Sequence, residues 1–179
     1  MNAAQIAADL IAEIRRKDTR GFFTAHLKLL EGVRFKVKPF LWPVPILHLW
    51  FKDAVTTMDG EILFPRNFDD PKKWPQLVKE AVLIHESIHV LQRKNKVFTS
   101  AKYLIDKRLR MQVELEAEAE EAYYRVVAGM LKRHDISSYA MSQVNSWPDQ
   151  YRFRDLKTGA EWYQTFKKMC EDAFARLTG

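Results

Sequence analysis

At 179 residues and 21.1 kDa the chain can bury one core of ordinary domain size. Hydrophobic residues make up 47% and charged residues 29%, which excludes a disordered or fibrous chain, and the lone Cys170 excludes an internal disulfide and a multi-cysteine metal site. The net charge of +6 invites nucleic acid as a partner, but the basic residues are scattered and several fall near predicted helix ends, so a solvated basic surface is expected instead.

In chain order, Ile6, Leu10, Ile11 and Ile14 recur at helical spacing and predict an amphipathic helix over residues 3 to 17. Its arginines follow the apolar residues, the wrong order for a secretory signal, so a cytoplasmic location is expected, with association with a particle equally compatible. A second helix is expected from Gly21 to Leu30, closing at Gly32. From Arg34 to Phe64 the texture changes. Pro39, Pro43 and Pro45 interrupt any helix, and the apolar stretch Phe40 to Phe51 is too short and too broken to span a membrane. Ile46 to Phe51 reads as a strand, and Asp59-Gly60 reads as a hairpin turn between Val55–Thr57 and Ile62–Phe64. Two or three antiparallel strands are expected here.

A long, largely buried helix is predicted from Pro75 to Lys94, with Pro75 suited to its first turn. Ser100 is placed as the cap of a short helix. A second long helix is expected from Lys107 to Arg133, a shorter one capped by Ser137 or Ser138 and ending before Pro148, and a last one from Gly159 to Leu177. No internal repeat or linker interrupts the chain, which is read as one domain over residues 1–179.

The chemistry concentrates in His85-Glu86-Ser87-Ile88-His89, an HExxH pattern on the first long helix. Residues four apart project from one face, so both imidazoles can reach one metal ion. Glu86 lies about 100° round the helix, beside the ion rather than on it. Imidazole suits Zn²⁺, and three protein ligands leave one coordination place for water, which a neighbouring carboxylate can deprotonate. The apolar flanks Val82-Leu83-Ile84 and Val90-Leu91 argue against a solvated polar face, because buried polar groups need partners. The third ligand is sought among Glu114, Glu116, Glu118, Glu120 and Glu121 on the second long helix. By helical geometry Glu114, Glu118 and Glu121 share one face and Glu116 and Glu120 another, so one set faces the metal and the other faces water.

HESIHVLQ followed about 25 residues later by ELEAEAEEAYY resembles the gluzincin metallopeptidases, especially the small minigluzincin domains of bacteria and phages. The resemblance covers residues 46 to 125 and implies a mainly helical, zincin-like α+β domain with a small antiparallel sheet packed on the HExxH helix. It implies Zn²⁺ as cofactor, Glu86 as the catalytic carboxylate, and His85, His89 and Glu116 as metal ligands. Glu116 is the second glutamate of the E-x-E-A core; the same pattern fits one step later with Glu118, and Glu114 is the further alternative. Glu120, one turn after Glu116, is implied as the carboxylate that holds a ligand histidine. VTTMDGEILFP resembles the edge strand lining a substrate cleft. The expected activity is hydrolysis of peptide bonds in a peptide or protein substrate. An amidase-like or deformylase-like hydrolase is an alternative within the same chemistry. The alternative from another class is a non-catalytic zinc-containing binding protein, its basic surface on nucleic acid or a particle assembly. Glu86 favours catalysis, since a structural site needs no base.

Overall fold

The computed structural model describes residues 2–38, 54–58, 60–97, 99–151 and 159–178. Helix α1 (Ala3–Lys17) buries Leu10 and Ile14 of the predicted stripe together with Ala3 and Ala7, while Ile6 and Ile11 are partly buried at its edge, and Asn2 caps it by accepting from the Gln5 amide. Helix α2 (Thr24–Leu30) begins three residues later than predicted. The Asp18 carboxylate accepts the backbone N–H groups of Phe22 and Phe23 at 2.8 and 2.6 Å, which holds the preceding residues in a turn around Gly21.

Three strands follow: β1 (Arg34–Val37), β2 (Thr56–Met58) and β3 (Glu61–Phe64). They form one sheet in the order β1-β3-β2. The β2–β3 hairpin is antiparallel as expected, with Thr57 opposite Ile62 and Gly60 at φ +78° in the turn. The expectation of an all-antiparallel sheet is corrected, because β1 runs parallel to β3, Phe35 opposite Ile62. A tight turn permits only antiparallel pairing, whereas the residues between β1 and β2 are numerous enough to return the chain to its starting edge. The strand expected at Ile46–Phe51 and the turn residue Asp59 lie outside the described residues.

Helix α3 (Gln76–Lys94) is the central element, packed against α1, α2 and β2 and against the long helix α5 (Lys107–Val127). Between them the short helix α4 (Ser100–Ile105) is capped by Thr99, one residue before the expected Ser100, through the Lys102 amide. Helix α5 stops at Val127 rather than Arg133: Gly129 takes φ +75°, and the Gly129 and Met130 amides turn back to the Val126 and Arg125 carbonyls. A 3₁₀ turn, Arg133–Asp135, leads directly into α6 (Ile136–Tyr151), so neither Ser137 nor Ser138 is a cap. Helix α6 also continues through Pro148, whose missing N–H falls in the last turns, where it removes a single bond. Helix α7 (Gly159–Thr178) closes the fold, which is mainly helical α+β.

Helix α5 serves two cores. Met111, Leu115, Ala119 and Ala122 pack with Phe166, Cys170 and Phe174 of α7 and with α6, while Tyr123 and Tyr124 join the core of α1, α2, α3 and the sheet. A buried polar tie fixes the pairing of the two long helices. Glu80 of α3, with no exposed surface, accepts from Lys17 at 2.7 Å and from the Tyr124 hydroxyl. Helix α5 thereby has a fixed rotation about its own axis, and that rotation decides which glutamates meet α3.

Candidate metal centre

His85, Glu86, His89 and Gln92 all lie on the inner side of α3, and each is less than a tenth exposed. Helical spacing brings His85 Nε2 to 3.1 Å from His89 Nε2. Across the helix pair, Glu114 of α5 presents one oxygen, Oε2, 3.4 Å from His85 Nε2 and the other, Oε1, 3.6 Å from His89 Nε2. Ligands about 2.0–2.1 Å from a tetrahedral Zn²⁺ stand about 3.3–3.4 Å from one another. The separations here, taken through the two oxygens of Glu114, are close to that, and the three residues can each offer a ligand atom to one ion.

Hydrogen bonding behind the rings determines which nitrogens face inward. The Gln92 Nε2 amide donates to the Val113 carbonyl at 3.1 Å and to Glu116 at 2.8 Å, so its Oε1 is the atom turned to His89 Nδ1, at 2.9 Å. An amide oxygen only accepts, so His89 carries its proton on Nδ1 and leaves the Nε2 lone pair toward His85 and Glu114. On the far side of the other ring, His85 Nδ1 lies 3.2 Å from Glu121 and 3.9 Å from Glu118.

The cluster is rich in negative charge. Burial opposes charging the imidazoles, but Glu114 and Glu121 outweigh it and hold His85 well above its ordinary value, and Glu114 raises His89. Burial likewise pushes Glu114 up, yet the two histidines keep it well below the usual carboxylate range. Burial and the neighbouring charge of Glu121 push Glu118 up to about 8. Such a pocket draws positive charge, as protons on the imidazoles or as a cation that takes their place. The histidines, Glu114 and this excess of carboxylate fit a divalent ion of the zinc type. His85, Glu118 and Glu121 form a second candidate group, but the Arg125 guanidinium already lies 2.9 Å from Glu121 and supplies the counter-charge there.

No family model, curated protein or solved structure matches this chain. What the residues can do therefore follows from their own chemistry.

Of the expected site residues, His85, Glu86 and His89 come together as the HExxH spacing implies. Glu116, expected as the third ligand, is not brought to the histidines. It accepts from Gln92 and Gln112 on the neighbouring helix face, and Glu114 takes its place at the cluster. Glu120, expected to hold a ligand histidine, instead accepts from Arg176 of α7 at 2.9 Å and lies 3.5 Å from His26. The carboxylate behind a site histidine is Glu121. The cause of both differences is one rotation: α5 turns the face of Glu114, Glu118 and Glu121 to α3. Glu114→Gln is accordingly expected to lower zinc affinity at least tenfold while Glu116→Gln, two hydrogen bonds away from the His89 ring, falls within that, as metal competition with a chromophoric chelator would read.

Three partners were not legible as site residues beforehand. Gln92 stands three residues after His89, and that spacing on one helix face is the signal that marks it. Thr57 and Tyr103 come from other elements and carry no such signal. The Thr57 hydroxyl on β2 donates to Glu86 Oε2 at 2.6 Å. The Tyr103 hydroxyl on α4 donates to Glu114 Oε1. Glu86 is buried, so its carboxylate depends on the Thr57 donor in place of water. Thr57→Val, which keeps the shape and removes the hydroxyl, is expected to cost about 1.5–3 kcal/mol in urea unfolding, and Thr57→Ser much less. Equal midpoints for the two variants would mean that the bond contributes nothing.

Proposed function

We propose that this chain is a zinc-dependent metallohydrolase that cleaves peptide bonds. The observation that carries the reading is the convergence of His85 Nε2, His89 Nε2 and Glu114 at 3.1–3.6 Å with a buried glutamate, Glu86, next in sequence to one of the ligands. These three residues would hold a divalent ion, which would supply Lewis-acid chemistry that makes water a nucleophile near neutral pH.

The chain's own residues supply the rest. Glu86 takes the proton of the attacking water and returns it to the leaving amine nitrogen. Thr57 holds the Oε2 oxygen of that carboxylate, so the transferred proton travels on Oε1. Gln92 keeps His89 in the tautomer that offers Nε2, and Glu121 stands behind His85. A site of three protein ligands, unlike a closed four-ligand structural site, retains a place for substrate, and the basic surface of the chain is compatible with this role.

Two measurements test the reading. Elemental analysis of protein equilibrated with zinc is expected to give about one ion per chain. Zinc-loaded protein incubated with a mixed peptide library is expected to produce new termini, detected by mass spectrometry, that a chelator abolishes. Protein that takes up zinc but cleaves no peptide, ester or amide would be a binding protein, and one that takes up none would sink the metal centre.

A further inference from the structure

We propose that Tyr103 is a positioning residue of the metal centre, holding Glu114 to coordination through one oxygen and thereby keeping a coordination place free. The inference rests on the metal-centre reading and extends it to an element outside the two long helices.

A glutamate can give a metal ion one oxygen or two, and two would fill the place that water or substrate requires. Here the oxygens of Glu114 are distinguished. Oε2 faces His85 Nε2 at 3.4 Å, whereas Oε1, 3.6 Å from His89 Nε2, also receives the Tyr103 hydroxyl. An oxygen engaged by a phenol is the poorer ligand, which favours Oε2 as the oxygen that binds.

The aim of Tyr103 is itself set from α5. Arg110, four residues before Glu114, donates through Nη1 to the Tyr103 carbonyl at 3.1 Å, and its guanidinium lies 5.7 Å over the phenol ring. The phenol and the carboxylate it addresses are thus held from one helix. A phenol is protonated across the neutral range, so the hydroxyl remains a donor. A neutral donor also leaves the full negative charge of Glu114 for the ion, which a lysine or arginine would partly cancel. The same device recurs at the other carboxylate of the site, where the Thr57 hydroxyl engages one oxygen of Glu86.

The test replaces zinc with Co²⁺, whose visible absorption is intense in four-coordinate sites and weak in five-coordinate ones. Wild-type protein, Tyr103→Phe and Arg110→Gln are loaded with Co²⁺, and their zinc affinities are measured by competition with a chromophoric chelator. Tyr103→Phe, which keeps the ring, is expected to weaken the cobalt bands and to lower zinc affinity about 10- to 100-fold. Arg110→Gln loosens the same phenol without touching its hydroxyl and is expected to shift the bands in the same direction by less, which keeps the test decisive should the phenylalanine variant fold poorly. Wild-type protein that binds Co²⁺ while both variants show its unaltered bands overturns the role of Tyr103 and leaves the metal centre standing. Wild-type protein that binds neither Co²⁺ nor Zn²⁺ overturns both.

Discussion

Glu86→Gln is expected to bind zinc as the wild-type chain does and to lose about 10²- to 10⁴-fold in the rate of hydrolysis. Glutamine keeps the size of the side chain, and its amide oxygen can still accept from the Thr57 hydroxyl, so the fold and the three ligands are undisturbed. What it removes is the group proposed to take a proton from water. Glu86 is buried and its charge acts on the neighbouring His89. The measurement pairs zinc content with the cleavage rate of a peptide found in the library assay. A glutamine variant that cleaves as fast as the parent would remove Glu86 from the chemistry.

His89→Ala should abolish the stabilisation that zinc confers. An ion present at about 100 times its dissociation constant stabilises the folded chain by about 2.7 kcal/mol. For a domain of this size that raises Tm by roughly 5–11 °C, at about 2–4 °C per kcal/mol. The alanine variant lacks one of the three proposed ligands and should melt at the same temperature with and without zinc. The effect also has a pH sign. Protons compete with the ion for the imidazoles, and the surrounding carboxylates hold both histidines above 6.5, so competition begins at higher pH than ordinary histidines would give. The zinc-dependent rise in Tm should therefore be largest at mildly alkaline pH and shrink as the pH falls through neutrality. A rise that persists undiminished in His89→Ala would locate the zinc elsewhere.

The long helices were legible because their signals are local. The period of apolar residues in α3, Pro75 at its start and the spacing of His85, Glu86 and His89 are properties of one continuous segment. The hairpin was legible from Gly60, whose positive φ a turn requires. The ends of α5 and α6 were less so. Gly129 ends α5 by taking a positive φ, whereas Pro148 falls in the last turns of α6, where a missing N–H costs little, and composition does not tell such positions apart.

The sequence by itself determined that two imidazoles and a carboxylate would share one side of a buried helix, since a helix of 3.6 residues per turn leaves them no alternative. It also divided the glutamates of α5 into two faces. Which face meets the histidines is decided only in three dimensions, by the packing of Leu115, Ala119 and Ala122 on α7 and by the Glu80–Tyr124 tie to α3. These contacts set the rotation of α5 about its axis, and a rotation of a rigid helix is a property of its neighbours and not of its own residues. Thr57 and Tyr103 reach the site in the same way, from an edge strand 29 residues before Glu86 and from the short helix that joins the two long ones.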